Sequence, residues 1–358
     1  MHSPASPSPN GALGPLPDGH PPVRLGRVGV LLVNLGTPEK ATAASVRTYL
    51  REFLSDSRVV DYPKALWLPV LYGVILNVRP AKTAALYRAI WREESDESPL
   101  RYYTRRQAEE VAKGFGDEVI VDWAMRYGSP SIEERIHALQ AEGCDRILVV
   151  PLYPQYSGST TATVVDKVGE VLARLPFQPT VRVAPPFPGA EGYIDALEVS
   201  MRAHVPADAE RVILSFHGIP ERYFKNGDPY HCHCQKTARL LRKRMGWDDT
   251  FAPLAFQSKF GPETWLEPST ESLVEKAAEE GLKRIAITAP AFVSDCIETL
   301  EEIGIGLRET FEEAGGETLT PIPCLNDDEA FVQFLRTMIE QELAGWIKAP
   351  TAVSAAAE

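Results

Sequence analysis

Eight short apolar runs, separated by longer amphipathic segments, constrain the fold of this chain more than any other feature. The runs begin at residues 28, 118, 146, 180, 211, 251, 284 and 317. They are rich in Val, Ile and Leu without regular polar alternation, which is typical of parallel strands buried on both faces. Between them, SIEERIHALQAEG and STESLVEKAAEEG have helical periodicity, with serine at the start and glycine at the end. This βαβα order predicts an α/β fold with two four-stranded parallel sheets flanked by helices.

The two halves of the chain resemble each other. NLGTP and FHGIP both end the first strand of a half with Gly-x-Pro, and GCDRILVVPLYP and GLKRIAITAPAF share Gly-x-x-Arg-Ile. A duplicated Rossmann-like unit explains these matches, and its ligand cleft would lie between the two units at the carboxyl ends of the strands. The predicted ranges are a disordered proline-rich tail over 1–25, similar domains over 26–196 and 197–347, and a second tail over 348–358.

The charge and the cysteine content exclude several classes of function. A net charge of −12 and a pI near 5.2 argue against a nucleic-acid partner, which would require a basic surface. Five cysteines without a secretory signal indicate reduced thiols in the cytoplasm. The stretch nearest to a transmembrane helix, LWLPVLYGVIL (66–76), is too short and is interrupted by Pro69. It is either a core or lid helix, or an exposed apolar lip for a membrane surface or an apolar ligand.

His217 and a group of carboxylates occupy positions that suggest chemistry. His217 ends an apolar strand directly before Gly-x-Pro, at the edge where the predicted cleft lies. Asp295, Glu298 and Glu302 follow another strand, and a helix that begins near Ser294 or Asp295 would place the three carboxylates on one face. An imidazole beside carboxylates suits a divalent metal and the removal of protons. The alternatives are a histidine bonded to nearby backbone, a capping-box pair of Asp295 with Glu298, and a solvated Glu302.

Four potential metal ligands stand in a row at His231, Cys232, His233 and Cys234. Structural zinc sites use Cys-x-x-Cys spacing and a second ligand pair, and the sequence has neither, so we expect no structural metal there. The phosphate-binding patterns GxGxxG and GxxxxGK[ST] are also absent from the sequence. A nucleotide-dependent Rossmann enzyme is therefore not supported.

Five segments, taken in order, resemble the ferrochelatase family, the enzymes that insert ferrous iron into a porphyrin to complete haem. They are GVLLVNLGTPE, YPQYSGSTT, SFHGIPERY, FQSKFGPETWLEP and FVSDCIETLEEI, and the match runs from about residue 28 to about residue 345. The resemblance implies a lyase of the class II chelatase family in haem biosynthesis, with porphyrin and ferrous iron as substrates and no tightly bound cofactor. IWREESDESPL and the apolar stretch 66–76 resemble the protoporphyrin-using bacterial type.

The same resemblance implies roles for individual residues. His217 and Glu298 match the pair that handles the metal and abstracts protons, and Asp295 matches the acid that begins the same motif. The positions that match the porphyrin pocket are Leu35, Arg126, Tyr127, Gln257, Ser258, Lys259 and Trp265. The chemistry suits these residue types independently, because a porphyrin must buckle and lose two inner protons before a metal enters. Its enzyme therefore needs an apolar cleft, a base near the ring centre and a weak metal site.

Two positions depart from the family pattern. Some members bind a [2Fe–2S] cluster through one cysteine in the YPQYS-x-S segment and three near the C-terminus. Here the first position is Gly158 and no cysteine lies beyond Cys324, so we expect neither that cluster nor a dimer that depends on it. Cys296 stands where many members have a second histidine, which leaves the proton relay to Asp295 and Glu298.

Several assignments remain open from the sequence. The substrate could be coproporphyrin, or the chain could be a cobalt or nickel chelatase, although those proteins typically have additional histidines in the metal site. From another class, a two-lobed protein could bind a porphyrin or a metal without turnover. We expect a monomer or weak dimer in the cytoplasm, with a peripheral contact to the inner membrane through residues 66–76.

Overall fold

All eight predicted strands are present in the computed structural model, which describes residues 18–20, 25–261 and 263–347. The predicted tails lie outside these residues, apart from 18–20 and 25. The strands are β1 (Arg27–Gly36), β2 (Val119–Tyr127), β3 (Cys144–Pro151), β4 (Thr180–Val183), β5 (Arg211–His217), β6 (Leu254–Gln257), β7 (Arg284–Thr288) and β8 (Thr318–Pro321). Their apolar side chains are almost completely buried in β1 and β5, as expected for strands covered on both faces.

The strands form two parallel sheets with the same topology. The order is β2-β1-β3-β4 in the first sheet and β6-β5-β7-β8 in the second. Every pairing is parallel, and the central strands β1 and β5 end opposite β2 and β6 through the pairs Gly36–Tyr127 and His217–Gln257. The predicted pair of similar four-stranded parallel sheets is confirmed, and the repeated order agrees with a duplicated unit.

Helices connect the strands and cover both sheets. They are α1 (Ala43–Ser55), α2 (Lys64–Val70), α3 (Leu76–Ile90), α4 (Pro99–Ala112), α5 (Ile132–Ala141), α6 (Thr161–Leu172), α7 (Glu191–His204), α8 (Glu221–Lys225), α9 (Tyr230–Met245), α10 (Thr270–Glu279), α11 (Arg308–Glu313) and α12 (Glu329–Glu342). The serines that predicted helix starts cap α5 and α10: Ser131 forms a capping box with Glu134, and Ser269 accepts the Ser272 N–H. Local sequence signals therefore set these two helix starts.

The two halves share one hydrophobic core. Val30 and Leu148 of the first sheet belong to the same buried cluster as Leu214 and Phe216 of the second. The predicted boundary between residues 196 and 197 falls inside α7, whose apolar face belongs to that cluster. Helix α12, late in the chain, packs against α4 and α7. The relative placement of the halves therefore rests on continuous apolar packing.

The chain is helical throughout 64–90, as α2, one π-helical turn (Leu71–Ile75) and α3. Pro69 lies inside α2, so the expected interruption does not occur, and the helix widens to the π-turn two residues later. Leu71 and Leu76 are buried beneath this segment. Other apolar side chains face outward: Leu66 is 70% exposed, and Val70, Tyr72, Val74 and Val78 are also exposed. No helix among the described residues is long and apolar enough to cross a membrane.

The helix that follows β7 differs from the prediction. It is a π-helix (Glu298–Leu307), and its N-cap is Ile297 rather than Ser294 or Asp295. No side chain caps it, so the predicted capping-box pair of Asp295 with Glu298 is wrong. The Asp295 carboxylate instead binds donors from a different loop. Glu298 is the first residue of the π-helix.

Candidate functional site

His217 lies half-buried at the carboxyl end of β5, and one of its two ring nitrogens makes a hydrogen bond to the backbone. Nδ1 lies 2.6 Å from the Gly218 carbonyl oxygen, and because a carbonyl can only accept, Nδ1 carries the proton. This tautomer leaves Nε2 with its lone pair. The ring is 6.2 Å from that of Phe292, in the loop after β7. His217 thus makes the hydrogen bond to nearby backbone that is expected of a structural histidine. The same bond orients the ring so that Nε2 can act as a base.

Gln257 connects the strand of His217 to the start of the π-helix. It pairs with His217 across β5 and β6, and its Nε2 donates to the Glu298 carbonyl oxygen at 2.9 Å. Its Oε1 accepts from Ser215 Oγ at 2.7 Å, so the side chain is held at both ends. Gln257 is thus the strand neighbour of His217 and a hydrogen-bond partner of the Glu298 backbone.

Glu302 is bound by the protein, so of the readings that the sequence left open, the alternative of a solvated carboxylate does not hold. The Ser258 N–H and Oγ donate to the two Glu302 oxygens at 2.7 and 2.6 Å. Ser258 has a φ of 65°, a left-handed conformation that directs both donors toward the π-helix. Of the predicted pocket residues, Gln257 and Ser258 therefore contact the π-helix directly.

The other two predicted residues of this wall lie further along the same loop. Lys259 is exposed and pairs with Glu267 at 3.2 Å. Trp265 is buried, its ring centroid is 4.9 Å from that of the exposed Phe260, and its Nε1 has no hydrogen-bond partner within the described chain. The tryptophan is therefore an interior residue of this wall, with one unused donor among the described residues.

Asp295 is buried and its carboxylate is surrounded by donors. Oδ1 accepts from Thr299 Oγ1 at 3.0 Å and from the Cys324 N–H at 3.2 Å, and Oδ2 accepts from Asn326 Nδ2 at 2.7 Å. The Asp295 N–H donates back to Asn326 Oδ1 at 2.9 Å. These bonds tie the loop after β7, the first turn of the π-helix and the loop after β8 into one unit.

The first half contributes the opposite wall through the ends of β1 and β2. Leu35 is half-buried between two apolar clusters. It precedes Gly36, which has a φ of 126° and packs so closely on Tyr127 that a Cβ would lie 1.9 Å from the Tyr127 carbonyl oxygen. Only glycine fits there, so the end of β1 and the placement of Leu35 depend on it.

Arg126 and Tyr127 share a carboxylate that sequence reasoning missed. Asp56 accepts from Arg126 Nη2 at 2.6 Å and from the Tyr127 hydroxyl at 2.9 Å, while Arg126 Nε donates to the Thr163 carbonyl oxygen. Both predicted residues are thus partnered and largely buried. Asp56 ends α1, and no pattern in the sequence distinguishes it from other helix-end acids.

Two buried tyrosines of the first half, Tyr49 in α1 and Tyr87 in α3, lie close enough to Glu298 for its charge to raise their pKa. Burial raises the pKa of Tyr49 well above its usual value of 10, and the charge of Tyr87 and then of Glu298 raise it further. Burial also raises the pKa of Tyr87, and the next contribution comes from Glu298. Tyr153 is equally buried, and its hydroxyl has no hydrogen-bond partner in the described part of the chain. Tyr49 and Tyr87 therefore stay protonated near the carboxylate predicted to handle the metal.

At the mouth of the cleft, charged residues of the two halves meet. Arg222, in α8, binds both Asp61 and Glu263, with its Nε 2.7 Å from a Glu263 oxygen. The Tyr62 hydroxyl donates to the other Glu263 oxygen at 2.9 Å. The residues that lead into α2 are therefore attached to the second half.

The run His231–Cys234 forms the first turn of α9, and its side chains point in different directions. His231 stacks against Phe256 with ring centroids 6.0 Å apart, and Cys232 is exposed whereas Cys234 is buried. His233 Nδ1 accepts the Tyr156 N–H at 3.1 Å, and burial lowers its pKa. Within residues 18–20, 25–261 and 263–347, no three His, Cys, Asp or Glu side chains are grouped to hold a metal.

Comparisons with known proteins point to one family. The family model described as Ferrochelatase matches residues 27–343. Over 333 residues the chain is 53% identical to the ferrochelatase of Rhizobium meliloti (strain 1021), covering 92% of this chain and 98% of the relative. It is 52% identical over 340 residues to the ferrochelatase of Agrobacterium fabrum, covering 94% of this chain and 99% of the relative.

Solved structures show the same fold at low sequence identity. SirB from Bacillus subtilis with Fe3+ is 12% identical, with a TM-score of 0.53 over 89% of this chain and 98% of that chain. The sirohydrochlorin chelatase SirB from Bacillus subtilis subspecies spizizenii, in complex with cobalt, is 13% identical, with a TM-score of 0.50 and the same coverage. At this identity the likeness concerns the fold alone.

Proposed function

The chain belongs to the ferrochelatase family, lyases that insert iron into a porphyrin, and on that premise we propose that it inserts ferrous iron into protoporphyrin IX. The reaction exchanges the two inner porphyrin protons for one Fe2+ and yields protohaem, the last step of haem biosynthesis. The observation that carries the proposal is the identity of 53% over 98% of the length of a ferrochelatase.

His217 is proposed as the base that takes a proton from the porphyrin. Its Nδ1–H is held by the Gly218 carbonyl, so Nε2 is the nitrogen that accepts. A neutral imidazole can accept a proton near neutral pH and release it again to water. Phe292 provides an apolar neighbour for the ring and restricts access of water from that side.

Glu298 is proposed as the carboxylate that receives the iron with His217 and accepts the second proton. Its backbone is tied to Gln257, beside His217, and its charge reaches Tyr49 and Tyr87 across the cleft. One carboxylate and one imidazole make a weak site for Fe2+, which suits an ion that must move into the ring. Asp295 supports this site by holding the first turn of the π-helix in place.

The porphyrin is proposed to lie between the two walls, with Leu35 on the face opposite the metal. Trp265 is buried and packs against Gly218, next to His217, so it supports the second wall from inside. Lys259 is exposed, and its cation can pair with a propionate. Arg126 and Tyr127 are proposed to support the first wall from the protein interior, because both side chains are hydrogen-bonded to Asp56.

The chain is proposed to work without an iron–sulfur cluster. At the position where some family members supply a cysteine ligand, Gly158 donates its N–H to Asp228 at 2.7 Å. A cysteine side chain at this position would meet that carboxylate, since the Cβ built on Gly158 lies 3.4 Å from it. No cysteine follows Cys324 in the sequence.

An anaerobic insertion assay tests the proposed function. The protein is mixed with Fe2+ and either protoporphyrin IX or coproporphyrin, and the loss of porphyrin fluorescence is followed. We expect fast metallation of protoporphyrin and slower metallation of coproporphyrin. Faster reaction with coproporphyrin would favour that alternative substrate. Binding of porphyrin without any metallation would show a porphyrin-binding protein instead of an enzyme.

The exposed apolar residues of 66–76 are proposed to contact a membrane surface peripherally, in a cytoplasmic protein. The Leu66 and Val74 side chains, 70% and 55% exposed, offer apolar surface beside the mouth of the cleft. We expect the double variant Leu66→Ser, Val74→Ser to weaken sedimentation with liposomes of bacterial lipid at least about tenfold. The matched control is Phe177→Ser, Val199→Ser, which removes residues of similar exposure elsewhere. Equal binding by both double variants would contradict the contact.

A further inference from the structure

Gln107, on α4 of the first half, reaches into the second half at the loop that precedes Glu298. Its side chain is fully buried, and Nε2 lies 2.7 Å from the Asn326 carbonyl oxygen, 3.0 Å from Ser294 Oγ and 3.3 Å from the Val293 carbonyl oxygen. Its Oε1 has no hydrogen-bond partner within the described residues. A buried amide with an unused oxygen is costly, so the contacts made by Nε2 must offset that cost.

The acceptors of Gln107 belong to two loops that Asn326 joins. The Asn326 N–H donates to the Val293 carbonyl oxygen at 2.8 Å, and its side chain bonds to Asp295 through both the amide nitrogen and the amide oxygen. Asn326 has a φ of 49°, a left-handed conformation in which asparagine is one of the few tolerated residues. The two loops and Gln107 therefore form one buried hydrogen-bonded unit.

This unit leads directly to the carboxylate of the site. Thr299 Oγ1 donates to Asp295 and accepts the Cys296 N–H at 3.0 Å, so the chain is held two residues before Glu298 and one residue after it. The π-helix has no side-chain cap of its own. The hydrogen bonds that Asp295 makes with Thr299 and Asn326 hold the chain before the π-helix in place of a side-chain cap. They therefore determine that the helix begins at Glu298.

We propose that Gln107 is a positioning residue for metal insertion: it holds the start of the π-helix, and with it Glu298, in place. Because Gln107 comes from the first half, it also couples the position of Glu298 to the wall that carries Leu35 and the tyrosines. Displacement of a reacting group by about 1 Å can reduce a rate about 100-fold, so a small shift of this loop would affect the reaction. The proposal rests on the insertion activity proposed above.

The test compares Gln107→Leu with the matched control Gln155→Leu. Gln155 is also a buried glutamine of the first half, donates across to the second half through Thr237 Oγ1 at 2.9 Å, and has an oxygen without a partner in the described chain. We expect Gln107→Leu to lower kcat for metal insertion about 10- to 100-fold with the KM for porphyrin changed less than twofold. Gln155→Leu should lose stability to a similar extent but keep kcat within about threefold of the wild type.

The variant Gln107→Glu provides a signature that a purely structural role does not produce. An ionised carboxylate has no donor for the Asn326 carbonyl, whereas a protonated one regains a single O–H. The ratio of its kcat to that of the wild type should therefore rise as pH falls, and the same ratio for Gln107→Leu should stay constant. Equal kcat values for Gln107→Leu and Gln155→Leu, or a pH-independent ratio for Gln107→Glu, would overturn the proposal. Inactivity of the wild type would instead reject the proposed function.

Discussion

Replacing His217 by alanine should reduce iron insertion about 10²- to 10⁴-fold, the range typical for loss of a general base. The physical reason is the position of the proton on the imidazole ring. Nδ1 is bonded to the Gly218 carbonyl, so Nε2 supplies the proton acceptor, and alanine removes it without leaving a buried charge. Porphyrin binding, measured by fluorescence anisotropy or by the shift of the absorption band, should remain because the two walls of the cleft are unchanged.

The pH dependence separates the role of this histidine from a loss of folding. Neutral imidazole accepts a proton and protonated imidazole cannot, so activity of the wild type should fall as the pH is lowered. The residual activity of His217→Ala should lack this acidic limb. His137→Ala is the control, since His137 is exposed on α5 outside the cleft. Retention of more than about a tenth of the wild-type rate in His217→Ala would exclude this histidine as the base.

The second large effect is expected at Glu298. Glu298→Gln keeps the shape of the side chain but removes both the negative charge that attracts Fe2+ and the site for the second proton. We expect kcat for metal insertion to fall about 10²- to 10⁴-fold. Single-turnover mixing with preloaded porphyrin, over a series of Fe2+ concentrations, measures whether the loss persists at saturating metal.

A neighbouring glutamate offers a matched control on the same π-helix. Glu301 is half-buried, and burial, followed by the charge of Glu302, raises its pKa. Glu301→Gln therefore makes the same chemical change three residues along the helix, and it should keep kcat within a factor of about three. If both glutamine variants lose activity equally, the effect belongs to the net charge of the π-helix rather than to the Glu298 carboxylate.

The carboxylates of the loop after β7 show how far sequence reasoning could go. Local signals predicted a helix start near residue 294, because Asp295 followed by Glu298 resembles a capping pair. In the structure Asp295 bonds to Cys324 and Asn326, about thirty residues later, and the helix begins at Glu298 with π-geometry. A partner that distant leaves no periodic trace in the local sequence.

Other residues of the site could not be predicted from the sequence for the same reason. Tyr49 and Tyr87 lie on helices α1 and α3, where a buried tyrosine looks like any other core residue. Asp56 and Gln107 carry no motif, and their significance comes from partners on other elements, Arg126 and Asn326 respectively. Only their packed environment distinguishes them.

The sequence by itself determined the eight strands, the starts of α5 and α10 and the repeated βαβα order, because burial and backbone propensity repeat with the period of each element. Its motifs also indicated the family and placed His217 at a strand end. The tertiary structure decided which groups meet. It joined the two sheets through one core, converted the helix of Glu298 into a π-helix without a side-chain cap, and brought Gln107 across the interface to Asn326. Such contacts depend on the free energy of packing distant segments together, and no local pattern encodes that quantity.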